Sequence, residues 1–149
     1  MKSLIVTLAV VLATGVTPLL ANATDTDPRA EKIFAQRFAG AQHVKWTSLD
    51  DGYLRVTFVL NGIGAESFFD KDAEFLGTVR NLFYSQLPLV VIQGLDSRFG
   101  GSSVIEVKEI TNIDGASYRV VLEQKDKRYR VRLNSLGEIT ELVKEKIKK

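Results

Sequence analysis

Apolar residues in the first part of the chain follow a helical spacing. They recur three or four positions apart, which is typical of the buried stripe of an amphipathic helix, at Ala30, Ile33, Phe34, Phe38 and Ala41. Asp27 and Pro28 suit the N-cap and the first position of this helix, and Gly40 suits its end. The pattern therefore predicts a helix that begins at Pro28 and ends before Gly40.

A strand pattern replaces the helical one after Gly40. Every second residue is apolar and faces one side, at Leu54, Val56, Phe58 and Leu60; the residues between them, Tyr53, Arg55, Thr57 and Val59, face the other. Asn61-Gly62 is the strongest short hairpin signal and turns the chain back. Four strands are predicted in this part, over 43–49, 53–60, 63–69 and 75–81.

The same succession of patterns occurs a second time. Leu87-Pro88 opens a helix, Gly100-Gly101 closes it, and its predicted apolar stripe comprises Leu89, Ile92, Leu95 and Phe99. Strands are expected over 104–111, 117–124, 127–134 and 138–143. Residues 144–149 are mostly Lys, and we expect them to form a frayed, solvated end.

Matching segments mark these two parts as copies of one unit. Arg37-Phe38-Ala39-Gly40 recurs as Arg98-Phe99-Gly100-Gly101, and the closing hairpins, 69–75 and 133–139, match at nearly the same offset. We therefore predict an α+β fold of two tandem helix-plus-four-strand antiparallel units, 27–84 and 85–146. The units are expected to share one sheet and one core, and residues 24–149 to form a single domain.

Residues 1–23 have the features of a secretory signal peptide. Lys2 supplies a positive charge, residues 3–16 are uncharged and largely apolar, and Ala21-Asn22-Ala23 is an A-x-A cleavage site. A membrane anchor is the competing interpretation, but Gly15 and Pro18 interrupt a run that is short against the about 20 apolar residues of a span. We expect cleavage before residue 24, a periplasmic or secreted protein, and no membrane span after cleavage.

The net charge and the lack of cysteine limit the kinds of partner and covalent modification expected for the mature chain. The sequence contains 20 Lys and Arg and 18 Asp and Glu residues, and because Lys2 leaves with the signal, one cation remains in excess. So small an excess creates no field that attracts nucleic acid, and a nucleic-acid partner is not expected. The chain contains no Cys, so it forms no disulfide and carries no lipid on a Cys.

No combination of residue types points to a catalytic or metal site. His43 is the only histidine and, without a Cys or a second His, completes neither a metal set nor a nucleophile–base pair. We expect it at the surface or edge of the sheet. Asp50-Asp51 and Asp70-Lys71-Asp72 fall in predicted turns, where Asp hydrogen-bonds its own backbone. We predict no enzyme activity, no cofactor and no metal.

The second hairpin turn predicts which side chains face away from the helices. If Lys125-Asp126 is a two-residue turn, Arg128, Arg130 and Arg132 lie on this outer face, and Arg119 stands directly opposite Arg132. The opposite face of the same hairpin is uniformly apolar, which supports this register. Two facing arginines cost a few tenths of a kcal/mol, and Arg130 is expected to have no acid opposite.

The first hairpin gives the outer face a different composition in its other half. The Asn61-Gly62 turn places Arg55 opposite Phe68 and Thr57 opposite Glu66 on this face. The first half is therefore partly aromatic, whereas the second half is basic. The residues predicted to bind a partner are Tyr53, Arg55, Phe68, Leu76, Arg119, Arg128, Arg130 and Arg132.

Several segments resemble the PepSY-like family. In the second unit these are Leu87-Pro88, Phe99, 105–110, Asp114-Gly115, 118–123, Lys127-Arg128-Tyr129 and Gly137-Glu138-Ile139; in the first they are Val44-Lys45-Trp46, Asp51-Gly52-Tyr53 and 69–72. The resemblance implies an exported bacterial protein with an architecture like that of β-lactamase inhibitory protein, in which tandem helix-plus-sheet units share one sheet, carry both helices on one face of it and leave the opposite face open. It implies no site residues, because these motifs are turns, caps and strand patterns.

Two hypotheses of function remain. The first is a protein-interaction or inhibitor-like module that uses the outer face, since aromatic residues and Arg are typical of interface hot spots. The second is a protein that binds a small ligand or envelope component in a helix–sheet cleft lined by Trp46, Tyr118 or Tyr129, although core packing is the favoured interpretation of Trp46. Homodimerisation through the outer face or an edge strand also stays open.

Overall fold

Two α-helices and eight β-strands follow one another in the computed structural model, which describes residues 26–147. The helices are α1 (Pro28–Arg37) and α2 (Leu89–Phe99). The strands are β1 (Gln42–Ser48), β2 (Leu54–Leu60), β3 (Ile63–Phe69), β4 (Phe75–Asn81), β5 (Ser103–Asn112), β6 (Gly115–Gln124), β7 (Lys127–Asn134) and β8 (Ile139–Lys146). The predicted signal segment, 1–23, lies outside the described residues. No helix within 26–147 is long and apolar enough to cross a membrane.

One antiparallel sheet contains all eight of these strands, in the order in which they follow along the chain. The two units meet where β4 pairs with β5, from Gly77 opposite Asn112 to Asn81 opposite Lys108. Helix α2 lies between these two strands in the sequence, so no short turn sets their register. The predicted α+β class and the shared sheet are confirmed.

Buried apolar side chains form two clusters, so the prediction of a single core is wrong. Helix α1 contributes Ala30 and Phe34 to the first cluster, which is completed mainly by residues of β1, β2 and β3. Helix α2 contributes Val91, Leu95 and Phe99 to the second, which is completed by residues of β5, β6 and β7. Each helix therefore packs on its own half of the sheet.

Both helices lie on the same face of the sheet. Ala65, Arg80, Glu109 and Tyr118 stand directly opposite one another across β3 to β6, and directly opposite residues share a face. Ala65 packs against the first cluster and Tyr118 belongs to the second. The opposite face, which we call the outer face, carries neither helix.

A polar seam, formed by Ser67, Thr78, Arg80 and Glu109, separates the two clusters. Arg80 Nη2 lies 2.8 Å from Glu109 Oε2, and the hydroxyl oxygens of Ser67 and Thr78 are 3.0 Å apart. Eight strands at about 4.8 Å spacing are wider than two helices of about 10 Å diameter can cover. The uncovered strip in the middle is therefore polar, and this is the physical reason for two cores.

The predicted apolar stripe of α2 is partly wrong. Leu89 is 68% exposed, whereas Val91 is fully buried and continues the stripe with Leu95 and Phe99. Leu87, just before the helix, is buried as well. Helix α1 follows its prediction more closely: the Asp27 carboxylate accepts a hydrogen bond from the Arg29 backbone N–H at 2.8 Å, and Pro28 is its first residue.

The chain end also departs from its prediction. Strand β8 continues to Lys146, and its last residues pair with β7 through Glu145 opposite Arg128 and Lys146 opposite Lys127. The backbone N–H of Ile147 then donates to the carbonyl of Asp126 at 2.9 Å. The expected frayed segment from residue 144 is therefore ordered strand as far as Lys146, because β7 offers it a complete ladder.

Helix α2 and the β7–β8 hairpin approach each other so closely that their backbones are in direct contact. A Cβ atom at Gly94 would overlap the carbonyl oxygen of Gly137, and one at Gly137 would overlap the carbonyl oxygen of Val90. Gly137 also has a φ of 80°, which disfavours other residues. The second unit depends on this close approach.

Gly94→Ala tests this contact. In an exposed helix position the change would stabilise by about 1 kcal/mol, but here overpacking reverses the sign, and we expect a loss of roughly 1–3 kcal/mol in the free energy of unfolding. Urea denaturation measures it. Gln93→Ala, at the exposed neighbouring position, is the control and should change stability by less than about 0.5 kcal/mol. A stabilised Gly94→Ala variant would contradict the contact.

Tyr84 anchors the loop before α2 to the helix. Its hydroxyl donates a hydrogen bond to Asp96 Oδ1 at 2.8 Å. Burial, followed by this hydrogen bond and the Asp96 charge, raises the pKa of Tyr84 to about 12. The neutral phenol is therefore favoured in the folded state.

Tyr84→Phe should lower the free energy of unfolding by about 1 kcal/mol at neutral pH, since the hydrogen bond is lost. The unfolded pKa of tyrosine is about 10, and the folded value is about 12. The stability that depends on the neutral phenol is complete below pH 10 and is lost as the pH rises through 12. The difference between wild type and variant should therefore shrink over this window in denaturation experiments. A difference that stays constant would contradict the assignment.

Candidate docking surface

Both predicted hairpin registers are confirmed on the outer face. In the first unit Arg55 stands opposite Phe68 and Thr57 opposite Glu66. In the second unit Arg119 stands opposite Arg132, with the pairs Val121–Arg130 and Glu123–Arg128 beside it. Successive residues of a strand point to opposite faces of the sheet. The residues that alternate with these on each hairpin are buried in the two cores, so these residues face away from the helices.

The aromatic half of the outer face lies on β2, β3 and β4. Tyr53 is 43% exposed and Leu76, in the β4 bulge beside the Phe68–Gly77 pair, is 41% exposed. Phe68 and Arg55 are half-buried by their neighbours. The Nε atom of Arg55 is buried, and no residue of the described part of the chain accepts its hydrogen. A buried hydrogen-bond donor without an acceptor destabilises a protein. An acceptor group of a binding partner that reached this Nε atom would remove that cost.

Ion pairs occupy part of the basic half. Arg128 Nη2 lies 2.6 Å from Glu123 Oε1. Arg130 has no acid directly opposite, as predicted, because Val121 and Val143 flank it in register. Strand β8 nevertheless continues far enough for Glu145 to reach it diagonally, with 2.8 Å between Arg130 Nη1 and Glu145 Oε1.

The two arginines that face each other, Arg119 and Arg132, have no ion-pair partner of this kind among the described residues. Arg119 and Arg132 form no ion pair with any residue between 26 and 147. The predicted like-charge pair is therefore present in the structure, and Glu141, the carboxylate opposite Arg132, does not come within ion-pair distance of it.

The outer face of the described residues carries depressions in both halves. One has a volume of about 230 Å³ and is lined by Thr57, Phe58, Gly64, Ala65, Glu66, Val79, Asn81 and Lys108. The other, which we call the arginine cavity, has a volume of about 250 Å³ and is lined by Arg119, Arg130, Val131, Arg132, Glu141 and Val143. Three of the eight residues predicted from the sequence thus meet in one cavity. Arg128 lies further along β7, paired to Glu123.

Sequence reasoning missed three contributors to this surface, Asn81, Lys108 and Glu141. Their registers come from the β4–β5 and β7–β8 pairings. No two-residue turn connects either pair of strands, so the rule that located the other residues did not apply. The alternation of β5 around the buried Val107 was the one signal that could have placed Lys108 outward.

Of the residues considered for metal or catalytic chemistry, Asp70 stabilises a turn and His43 lies at the surface. One Asp70 carboxylate oxygen accepts hydrogen bonds from the backbone N–H groups of Asp72 and Glu74, both at 2.9 Å. Asn134 makes the same pair of bonds in the second unit, so this is a turn that the duplication repeats. His43 is exposed on the edge strand β1. Within residues 26–147, no group of three His, Cys, Asp or Glu side chains is placed to hold a metal ion.

The three aromatic residues proposed to line a ligand cleft pack in the cores instead. Trp46 is 7% exposed and its ring centroid lies 5.5 Å from that of Phe34. Tyr118 is 6% exposed, and the Tyr129 ring lies 5.1 Å from that of Phe99. That part of the alternative hypothesis is wrong.

A helix–sheet cleft does exist at another place, between α2 and the start of β5, and we call it the α2–β5 cleft. It has a volume of about 250 Å³ and is lined by Tyr84, Leu95, Asp96, Phe99, Gly101, Ser102, Val104 and Leu122. The Ser102 hydroxyl is buried there and has no hydrogen-bond partner among the described residues.

The fold matches solved structures from Bacteroides species. A BLIP-like protein from Bacteroides fragilis NCTC 9343 has a TM-score of 0.73 at 18% identity, over 87% of this chain and 93% of that chain. A candidate periplasmic protein from Bacteroides eggerthii DSM 20697 has a TM-score of 0.72 at 16% identity, over 80% and 88%. A DUF2874 family protein from Bacteroides ovatus ATCC 8483 has a TM-score of 0.71 at 21% identity, over 81% and 89%.

Identities this low establish a shared fold and nothing more. No family model matches the chain, and no curated protein matches it. The expected BLIP-like architecture is confirmed as a fold, while the PepSY-like relationship stays a prediction.

Adjacent phenylalanines on β3 test the assignment of faces. Phe69 is fully buried, so Phe69→Ala should cost about 3–5 kcal/mol of stability. Phe68→Ala removes a half-buried ring from the outer face and should cost less than about 2 kcal/mol. Adding Arg130→Glu to it breaks an exposed ion pair, worth at most about 1 kcal/mol, and places a carboxylate beside Glu145, which costs a further few tenths of a kcal/mol. The double variant should keep a cooperative thermal transition in circular dichroism; its loss would mean that these side chains do not face outward.

Proposed function

We propose that the protein is an exported, non-catalytic binding module, inhibitor-like in its mode of action, that docks a protein partner on the outer face. The observation that carries the proposal is the juxtaposition on one helix-free face of Phe68, beside the unsatisfied Nε of Arg55, with the unpaired Arg119 and Arg132. Aromatic residues and Arg are the side chains that contribute most to binding at protein interfaces. The two units, 27–84 and 85–146, act as one domain in this proposal because the face runs across both.

Location supports the same proposal. The signal-peptide pattern of residues 1–23 predicts export, and one protein of the same fold is described as a candidate periplasmic protein. The PepSY-like resemblance is consistent with both. We therefore infer that the mature chain is periplasmic or secreted.

A protein partner fits the outer face better than nucleic acid does. The face combines an aromatic half with a basic half in which Glu123 and Glu145 pair with Arg128 and Arg130, whereas a nucleic-acid surface concentrates unmatched cations along its length. The partner we infer presents apolar and acidic side chains.

The α2–β5 cleft supports a second candidate function, binding of a small ligand or an envelope component. The specific observation is the buried Ser102 hydroxyl without a partner in the described residues, beside the Tyr84–Asp96 hydrogen bond. A ligand with one hydrogen-bonding group and an apolar body would satisfy this hydroxyl.

Comparative affinity capture tests the main proposal. Residues 24–149, immobilised as bait, are exposed to envelope extract from the organism that encodes the protein. We expect a captured protein that is lost when the bait carries Phe68→Ala and Arg130→Glu. Leu89→Ala with Arg98→Glu is the matched control, because it makes similar changes at two exposed positions of α2 and should leave capture intact.

The outcomes separate the two candidates. Loss of the captured protein with the α2 control instead of the outer-face variant would place docking on the helix side and overturn the proposal. Capture that neither variant changes would overturn it too. Folded bait that captures nothing would favour the α2–β5 cleft.

A further inference from the structure

The arginine cavity holds more positive charge than its surroundings neutralise. Arg119, Arg130 and Arg132 line it together. Arg130 is matched by Glu145, but Arg119 and Arg132 stand opposite each other and neither forms an ion pair with a described residue. Like charges directly opposite on adjacent strands destabilise a sheet, so this arrangement does not contribute to the stability of the fold.

A third cation lies next to the facing arginines. Lys108 stands directly opposite Arg119 on the other side, so Lys108, Arg119 and Arg132 form one row across β5, β6 and β7. The row continues to Asn81 on β4 and Glu141 on β8. Glu141 is the only carboxylate in it, and it pairs in register with Arg132 without approaching within ion-pair distance.

Adding up the charges gives the size of the imbalance. On the outer face of β5 to β8 the cations are Lys108, Arg119, Arg128, Arg130 and Arg132, and the carboxylates are Glu106, Glu123, Glu141 and Glu145. Five cations against four carboxylates leave one positive charge. The pairs Lys108–Glu106, Arg128–Glu123 and Arg130–Glu145 match the other three cations, so the excess is concentrated at Arg119 and Arg132.

The first unit shows that the fold does not require this charge. Leu54 opposite Phe69 and Tyr118 opposite Leu133 are the matching inward pairs of the two units. Superposing these pairs along the sequence aligns Arg119 with Arg55, but aligns Arg132 with Phe68 and Arg130 with Glu66. The single outward Arg recurs in both copies, whereas the facing cations belong to the second copy alone.

From these observations we propose that the arginine cavity receives one Asp or Glu side chain of the docked protein partner. Two facing guanidinium groups present planar forks of N–H donors that match a carboxylate, and Val143 provides an apolar wall for the side chain that carries it. The partner's carboxylate would neutralise the excess charge. This inference rests on the proposed function and specifies the chemistry of its partner.

A carboxylate fits this site better than a phosphate group. One excess charge balances a monoanion, whereas a phosphate monoester carries between one and two negative charges at neutral pH. Glu141 lines the cavity, and Glu145 lies 2.8 Å from Arg130 at its edge. Both carboxylates repel a second negative charge.

Arginine side-chain NMR tests the site directly. A capped tetraglutamate peptide, titrated into ¹⁵N-labelled protein, should shift the Nε–H signals of Arg119 and Arg132 in a saturable way, and the capped tetraglutamine peptide should not. Arg119→Gln with Arg132→Gln should weaken tetraglutamate binding about tenfold or more, since one charge-assisted hydrogen bond corresponds to roughly that factor. Lys32→Gln with Arg98→Gln, two exposed helix positions, removes the same charge and should leave binding unchanged.

Two results would overturn the proposal. The first is tetraglutamate binding that is absent or is equally weakened by the Lys32 and Arg98 control, which would indicate a nonspecific charge effect. The second is inorganic phosphate shifting the same two signals at lower concentration than tetraglutamate, which would make the site a phosphate site.

The same arginine variant also separates this inference from the proposed function. If capture of the envelope partner is lost with Phe68→Ala and Arg130→Glu but is unchanged with Arg119→Gln and Arg132→Gln, the outer face docks a protein and the carboxylate inference fails. If the glutamate peptide binds at Arg119 and Arg132 while the outer-face variant leaves capture intact, the carboxylate site stands and the proposed docking of that partner fails.

Discussion

The pairing of β4 with β5 is the contact on which the rest of this structure depends. It joins two helix-plus-four-strand units into one sheet, across a connection that contains the whole of α2. Because both units present the same face to their helices, the pairing brings one outer face from each unit into a single surface. Without it the aromatic half and the basic half would belong to separate small sheets, each with another exposed edge.

The same pairing explains why the helix side has two cores. Two short helices cannot cover eight strands, so the strip under the β4–β5 ladder carries an ion pair between Arg80 and Glu109 and a contact between two hydroxyl groups instead of apolar side chains. The polar groups of this seam bind one another, and a partly buried polar group needs such a hydrogen-bond or ion-pair partner. The two cores are thus a consequence of sheet width, and each unit keeps the packing of its own copy.

Divergence between the copies is concentrated on the outer face. Inward positions packed in the two cores agree in character, as the corresponding Phe69 and Leu133 show, and the turn formed by Asp70 recurs in chemistry at Asn134. Outward positions change type, from Phe68 to Arg132 and from Glu66 to Arg130. Packing constrains the first set to apolar residues, whereas nothing in the fold constrains the second. The outer face is therefore where a difference between the copies can serve binding.

Sequence by itself determined the features that short-range chemistry controls. The Asn61-Gly62 and Lys125-Asp126 turns, with strict alternation on both sides, were enough to place Arg55 opposite Phe68 and Arg119 opposite Arg132, because a two-residue turn leaves one register that buries the apolar set. The tertiary structure alone decided the features that depend on distant strands and on how much a helix covers. These are the Asn81–Lys108 and Arg132–Glu141 pairings, the Arg130–Glu145 ion pair and the division of the core. Local patterns carry no information on these, since each results from the packing of complete elements against one another.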